Sequence, residues 1–365
     1  MKKKYKILLT GGGTMGSVSP LLAIAEEIKK QNEIEFLWIG TKNGPEKKVI
    51  ENYKIPFKAI CSGKLRRYFD WQNFIDIFKI KIGFWQSFFI LLKWRPDIAI
   101  SAGSFVSVPV IWAAWFLRVK ILIHQQDIRA GLANKLMAPF AKVITVTFEN
   151  SLADYGKKAI WTGNPVRKLT SQFLIDDLNK KYNLQKNLPA VLVIGGGTGA
   201  MDINKLVEQS LSELTKFCQI IHAAGKNKTT LNDKPQIANY FKFEFLDADQ
   251  IAEIYTLTDI AISRCGLGIL SELSYIGKPV ILIPLPDSHQ EENAKIFKHA
   301  AIILEQKNLT AEKFVNELKN LINNKELQKT LSQNIKQVMK QGANETIAKI
   351  IKNIIIKGTV PKKYP

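Results

Sequence analysis

Ile7-Leu8-Leu9-Thr10-Gly11-Gly12-Gly13-Thr14-Met15-Gly16 and, half a chain later, Val191-Leu192-Val193-Ile194-Gly195-Gly196-Gly197-Thr198-Gly199-Ala200 carry one signal twice. Each is an apolar run, a glycine turn and the start of a helical pattern, which is the opening of a βαβ unit. Glycine lets the backbone turn tightly and approach a ligand, and the amides at the next helix N-terminus attract anions. Two phosphate-cradling units so far apart predict an α/β chain of two Rossmann-like domains facing a central cleft.

The alternation continues outward from both loops. Apolar runs at 34–39, 98–101, 121–123 and 143–146 follow the first, and runs at 218–222, 243–246, 260–263 and 280–283 follow the second. Strands alternating with helix-compatible stretches imply parallel sheets. Thr162-Gly163-Asn164-Pro165 interrupts the pattern, predicting a first domain over 1–163, a second over 164–345, and a terminal helix with a basic tail over 346–365.

Composition narrows the class. The 365 residues, 46% of them hydrophobic, suffice for two cores of ordinary size. Cys61, Cys218 and Cys265 are scattered, and His124, His222, His289 and His299 show no paired spacing, so neither a disulfide framework nor a zinc motif is expected. Met1-Lys2-Lys3-Lys4 leads into a short strand and a glycine loop, which does not read as a signal peptide. The net charge of +20 calls for an anionic partner. No nucleic-acid-binding signature accompanies that charge, so nucleic acid is not expected.

Residues 64–95 stand apart. Seven basic residues against two acidic ones are interleaved there with ten aromatics, among them Phe69, Trp71, Phe74, Phe78, Trp85, Phe89 and Trp94. The least polar part, 82–92, is about half the ~20 residues that cross a bilayer. A helix of this kind can lie in the headgroup layer of an anionic membrane; the plainer alternative is a core helix with solvated lysines.

Both loops fit the dinucleotide fingerprint, yet the strand over 34–39 ends in Gly40-Thr41 where an acid would hold a ribose. Neither loop has the Gly-Lys-Ser/Thr ending of a nucleotide-hydrolysing P-loop. A dehydrogenase and an ATPase are both disfavoured. Further on, Ser263-Arg264-Cys265-Gly266 turns into a helix carrying Glu272, whose carboxylate suits paired ribose hydroxyls, although an early acid also favours a helix dipole. The polar loop from Pro284 to Ala294 follows a buried strand, where ligands bind in open α/β sheets.

Taken together these stretches resemble the MurG family of GT-B glycosyltransferases. Gly12-Gly13-Thr14-Met15-Gly16-Ser17-Val18-Ser19-Pro20 resembles the family's Gly-Gly-Thr-Gly-Gly-His-Val-Phe-Pro, and His124-Gln125-Gln126-Asp127 with Gly131-Leu132-Ala133-Asn134 resembles His-Glu-Gln-Asn with its Gly-Leu-x-Asn ending. Gly163-Asn164-Pro165-Val166-Arg167 matches the linker motif. Gly195 to Asn204, Arg264 to Glu272, and His289-Gln290 with Asn293-Ala294 resemble the family's second half.

The resemblance implies an inverting transferase that moves GlcNAc from UDP-GlcNAc to a polyprenyl-pyrophosphate-linked muramyl-peptide at the cytoplasmic membrane face, with no cofactor and no metal. It implies that Gly196, Gly197, Thr198, Gly199, Asn204, Arg167, Arg264, Ser271, Glu272 and Gln290 bind the donor, with Glu272 on the ribose and Gln290 on the sugar. The acceptor pyrophosphate would meet Gly12, Gly13, Thr14, Met15 and Gly16, with Asn134 beside it.

Several positions depart from the pattern, Gly197 and Thr198 in place of Ser and Gln among them, and three bear on the base. Ser17 stands where the family has a histidine, Gln125 replaces Glu, and Asp127 replaces Asn. The expected base is therefore Asp127 or else His124, with Ser17 unable to serve unaided. His222 and Cys265 read as packing residues. Rival readings are a GT-B transferase with another acceptor, a UDP-sugar 2-epimerase, and a non-catalytic nucleotide-sugar-binding protein.

Overall fold

The computed structural model describes residues 4–30, 33–64, 71–167, 169, 173–195, 200–225 and 237–360, with Asn73 described in its backbone alone. The chain divides into two compact units, Met1–Arg167 with Lys340–Pro365, and Lys168–Met339. In the first, the described strands are β1 (Tyr5–Thr10), β2 (Ile34–Thr41), β3 (Phe57–Ile60), β4 (Ile98–Ser101), β5 (Lys120–Gln125), β6 (Val143–Val146) and β7 (Ala159–Trp161). They form one parallel sheet in the order β3-β2-β1-β4-β5-β6-β7.

Ile7, Leu8 and Leu9 are all fully buried because both faces of this sheet are covered. Ile7 and Leu9 pack with Leu21, Ile24 and Ile28 of helix Ser19–Lys29, while Leu8 belongs to the opposite cluster with Val110 and Ile111 of helix Ser107–Phe116. The period-two alternation of a strand thus feeds two cores.

In the second unit β8 (Ala190–Ile194), β9 (Gln219–Ala223), β10 (Tyr240–Phe243), β11 (Ile260–Ser263), β12 (Val280–Leu282) and β13 (Ile302–Ile303) form a parallel sheet ordered β10-β9-β8-β11-β12-β13. Val191 and Val193 pack with Ile203 and Val207 of helix Met201–Leu214 and with Phe314 and Leu318 of helix Ala311–Asn323. In each sheet the strand order reverses beside the first strand, between β1 and β4 and between β8 and β11. Ligands of open α/β sheets bind outside the carboxyl ends at such a switch point, and both glycine loops start there.

The division of the chain differs from the expected 163/164 and 345/346 boundaries. Asn164 to Arg167 stay with the first unit, and the chain returns to it at Lys340. Helix Ala343–Lys357 buries Ile347, Ile350, Ile351 and Ile354 in the same cluster as Ile7 and Leu9, so it completes that core rather than standing apart. Lys120 Nζ donates to the carbonyls of Ile354 and Ile355, at 2.8 and 3.3 Å, neutralising the helix C-terminus. The Asn344 amide bonds both the N–H and the carbonyl of Val166, at 3.0 and 2.7 Å. Gly163, at φ +81°, lies so close to Lys340 that a Cβ would sit 1.9 Å from that carbonyl oxygen, so only glycine fits.

The run expected as a strand over 243–246 is also displaced. The strand is Tyr240–Phe243, and Leu246 instead precedes Asp247, the N-cap of a capping box opening helix Ala248–Leu257.

Candidate functional site

Each of the two glycine loops starts at its own sheet's switch point, but only the first is within the described residues. It is held from five sides. Trp38 Nε1 donates to the Gly11 carbonyl at 2.9 Å, Ser107 Oγ to that of Thr10 at 2.9 Å, and Ser104 Oγ to that of Gly12 at 2.8 Å. The Gly12 amide donates to Ser17 Oγ at 3.2 Å and the Gly13 amide to Glu46 Oε2 at 3.1 Å. Glu46 is fully buried, and its carboxylate also takes the amide and hydroxyl of Thr41. Charge-assisted hydrogen bonds offset the burial of that anion.

The amides of the loop divide into two groups. Gly12 and Gly13 spend theirs on the protein's own oxygens, which leaves Thr14, Met15 and Gly16, whose amides bond no described residue. Ser17 is buried, and its hydroxyl oxygen closes the loop by accepting the Gly12 amide. Sequence reading missed Glu46 because it lies five residues beyond the end of β2. An acid does follow that strand, but it turns inward onto the loop.

His124, at the end of β5, is fully buried. Nδ1 lies 2.9 Å from Thr145 Oγ1 and Nε2 2.8 Å from Asn164 Oδ1. Burial pushes its pKa down to about 4, against the hydrogen bond that Asn164 Oδ1 accepts from the ring, which favours the charged form. With both ring nitrogens bonded inside the core, His124 ties β5 to the linker.

Asp127 lies in the next loop and is exposed. That loop is pinned by Gln125 Nε2 on the Asp127 carbonyl at 2.6 Å, Gln126 Nε2 on Ala102 at 2.9 Å and Ser151 Oγ on Ile128 at 3.0 Å. Gln125 Oε1 accepts from Asn134 Nδ2 and from Tyr155 at 2.9 Å. An amide at position 125 can accept and donate at once, which a carboxylate cannot. Asn134 is only 6% exposed, and its Oδ1, beside Gly103, is a buried acceptor with no partner among the described residues.

In the second unit the expected donor residues Gly196, Gly197, Thr198 and Gly199 lie outside the described residues. Arg264, directly after β11, is buried and donates from Nη1 to the carbonyls of Ile283 and Pro284 at 3.1 and 3.2 Å, with Nη2 3.5 Å from Asp202 Oδ2. Burial lowers its pKa and Asp202 opposes that shift. Gln290 Oε1 accepts the amides of Cys265 and Leu285, both at 3.1 Å, joining the loops after β11 and β12. Glu272, in helix Leu267–Ile276, is 8% exposed and accepts from Tyr255 Oη at 2.7 Å.

Three further residues expected at the donor are placed as follows. Asn204 is buried, with Oδ1 3.0 Å from His222 Nε2 and Nδ2 donating to Ala224 at 2.8 Å, so it anchors its helix to the end of β9. Ser271 is buried and turns its hydroxyl back to the Leu267 carbonyl at 2.6 Å. Arg167 is the last residue of the first unit. His222 and Cys265 are packing residues as expected: burial pushes the histidine down to about 4 and the thiol up to about 12.

Helix Gln72–Trp94 presents Phe74, Phe78, Ile82, Trp85, Phe89 and Leu92 to solvent, each three or four residues from the next, so they form one stripe. Trp85 is 57% and Phe89 62% exposed, and Trp115 and Phe116 of the neighbouring chain segment are exposed as well. Lys79, Lys81 and Lys93 are also exposed along the helix. Phe84 and Phe88 pack towards the core, so the plain core-helix alternative accounts for one face only. The segment 65–70, with Phe69, lies outside the described residues. No described helix is long and apolar enough to cross a membrane.

Comparison with known proteins agrees along the chain. Residues 7–146 match the model of the glycosyltransferase family 28 N-terminal domain, and 190–352 that of the family 28 C-terminal domain. The UDP-N-acetylglucosamine–N-acetylmuramyl-(pentapeptide) pyrophosphoryl-undecaprenol N-acetylglucosamine transferase of Borrelia turicatae is 36% identical over 96% of this chain and 97% of its own. The protein of that name in Clostridium kluyveri is 38% identical over 87% and 91%. Among solved structures, Acinetobacter baumannii MurG superimposes with a TM-score of 0.72 at 24% identity, covering 96% of this chain and 99% of its own. The Neisseria meningitidis UDP-GlcNAc 2-epimerase bound to UDP-GlcNAc gives 0.68 at 16%, over 97% and 100%. At such identities the structures share the fold alone.

Proposed function

The chain belongs to glycosyltransferase family 28, and on that premise we propose that it transfers N-acetylglucosamine from UDP-GlcNAc to the 4-hydroxyl of a muramyl-peptide carried on a polyprenyl pyrophosphate, in peptidoglycan synthesis. The observation that carries the reading is the nearly full-length likeness to transferases of that name. The attacking hydroxyl loses a proton, the anomeric centre inverts and UDP leaves. Such a reaction needs a base on the hydroxyl and positive potential at the departing diphosphate.

The second unit offers the donor side. Glu272 takes the ribose hydroxyls, the Gln290 amide faces the sugar, and Arg264 supplies a fixed cation at the carboxyl end of β11. In the first unit the acceptor pyrophosphate meets the amides of Thr14, Met15 and Gly16. Asn134 Oδ1 takes a donor from the acceptor, which relieves a buried group that would otherwise cost about 1–3 kcal/mol. Asp127 is the base.

The exposed aromatic stripe holds the enzyme to the anionic membrane surface that carries the lipid acceptor, at the cytoplasmic face. Replacing Trp85 and Phe89 by serine is expected to weaken binding to phosphatidylglycerol vesicles at least about tenfold, since each buried aromatic contributes about 1.5–3 kcal/mol. Solution stability stays near that of the parent because neither side chain is in the core. Co-sedimentation with vesicles measures this, and unchanged binding refutes the stripe's role.

A UDP-sugar 2-epimerase shares the fold but has no use for such a stripe. Incubation with UDP-GlcNAc alone separates the two, because a transferase returns the donor sugar unepimerised, whereas UDP-N-acetylmannosamine identifies an epimerase.

A further inference from the structure

We propose that Tyr255 is a positioning residue for the donor nucleotide, holding the Glu272 carboxylate in the orientation that receives the ribose hydroxyls. The inference rests on the proposed reading of Glu272 as the ribose-binding residue. Tyr255 lies on helix Ala248–Leu257, which runs into β11, and Glu272 lies on helix Leu267–Ile276, which leaves that strand. The two helices bracket the strand whose carboxyl end forms one side of the switch point.

The phenol is 1% exposed, among the most buried aromatic side chains of the molecule, and its hydroxyl donates to Glu272 Oε2 at 2.7 Å. A phenol held by packing has no freedom to follow a moving carboxylate, so the bond fixes the carboxylate instead. Two oxygens aimed at two neighbouring hydroxyls recognise a diol only when their plane is set beforehand, because each wrong rotamer forfeits one bond. A phenylalanine would fill the same space, so the hydroxyl itself points to a polar task. The expected ligand is a ribonucleoside diphosphate with its 2′- and 3′-hydroxyls intact.

The test compares UDP with 2′-deoxy-UDP by calorimetry on the full chain. The parent is expected to bind UDP at least about tenfold more tightly, since hydrogen bonds to a charged group carry that much discrimination. Tyr255→Phe is expected to lose about tenfold in UDP affinity and less than about threefold for 2′-deoxy-UDP, so the preference collapses. A merely structural tyrosine would weaken both nucleotides alike, and an unchanged preference in Tyr255→Phe overturns the proposal. If the parent shows no preference, Glu272 is not on the ribose, and both the reading and the inference fail. The pair Tyr255→Phe with Glu272→Gln, which removes the buried charge along with its donor, is read against Glu272→Gln alone. Equal UDP affinities are expected, and a further loss in the double variant assigns Tyr255 to folding instead.

Discussion

Sugar transfer by Asp127→Asn is expected to fall about 100- to 10,000-fold, the usual contribution of a general base, while UDP binding stays unchanged. The argument is one of access. Three residues were candidates for the base, and two are spent on the fold: Ser17 Oγ accepts the Gly12 amide, and both His124 nitrogens are bonded inside the core. Only Asp127 is exposed, and it sits on a loop that Gln125, Gln126 and Ser151 hold in place. Asparagine preserves the size and the loop but cannot accept the proton. Single-turnover transfer with lipid acceptor and a parallel UDP titration separate chemistry from donor binding. Unchanged turnover would remove Asp127 from the mechanism.

Acid is expected to destabilise both units through one buried histidine in each. His124 and His222 are neutral in the folded protein, with pKa values pushed down to about 4 by burial. His124 is surrounded by Thr145, Thr147 and Asn164, whereas His222 also feels Glu208, which pulls its pKa up, and Lys242, which pushes it down. In the unfolded chain each titrates near 6.5. The stability held by the neutral rings is therefore complete above pH 6.5. As pH falls towards 4 the unfolded state takes up protons that the folded state refuses, and stability drops by about 1.4 kcal/mol per pH unit for each ring. By pH 5 the loss is about 2 kcal/mol per histidine. Urea unfolding at pH 7.5 and 5.0 measures it, and His124→Gln should remove the first unit's share of the slope. Stability independent of pH in this window, or the assigned imidazole resonances of His124 and His222 titrating near 6.5 in the native protein, would contradict the buried assignment.

The apolar runs that became β1, β4, β6, β8 and β11 were legible because parallel strands are buried on both faces and leave continuous hydrophobic sequence. The runs that escaped are short edge strands. β3, β7 and β13 have few fully buried residues and no strong pattern. The return of helix Ala343–Lys357 to the first unit was equally hidden, since an amphipathic helix does not declare which sheet it covers. Residue types at the switch points were readable, but their orientations were not. Asn204 and His124 occupy motif positions and yet bond inward, while Glu46 and Tyr255 belong to no motif and reach the first glycine loop and Glu272, respectively, through space.

The central claim is the transfer itself. Purified protein incubated with radiolabelled UDP-GlcNAc and polyprenyl-pyrophosphate-linked muramyl-pentapeptide in anionic vesicles should move label into the lipid-extractable fraction, with release of one UDP per sugar. Label that stays in the aqueous phase, from a folded protein that binds UDP tightly, would contradict the account and leave a nucleotide-sugar-binding protein or a transferase with another acceptor.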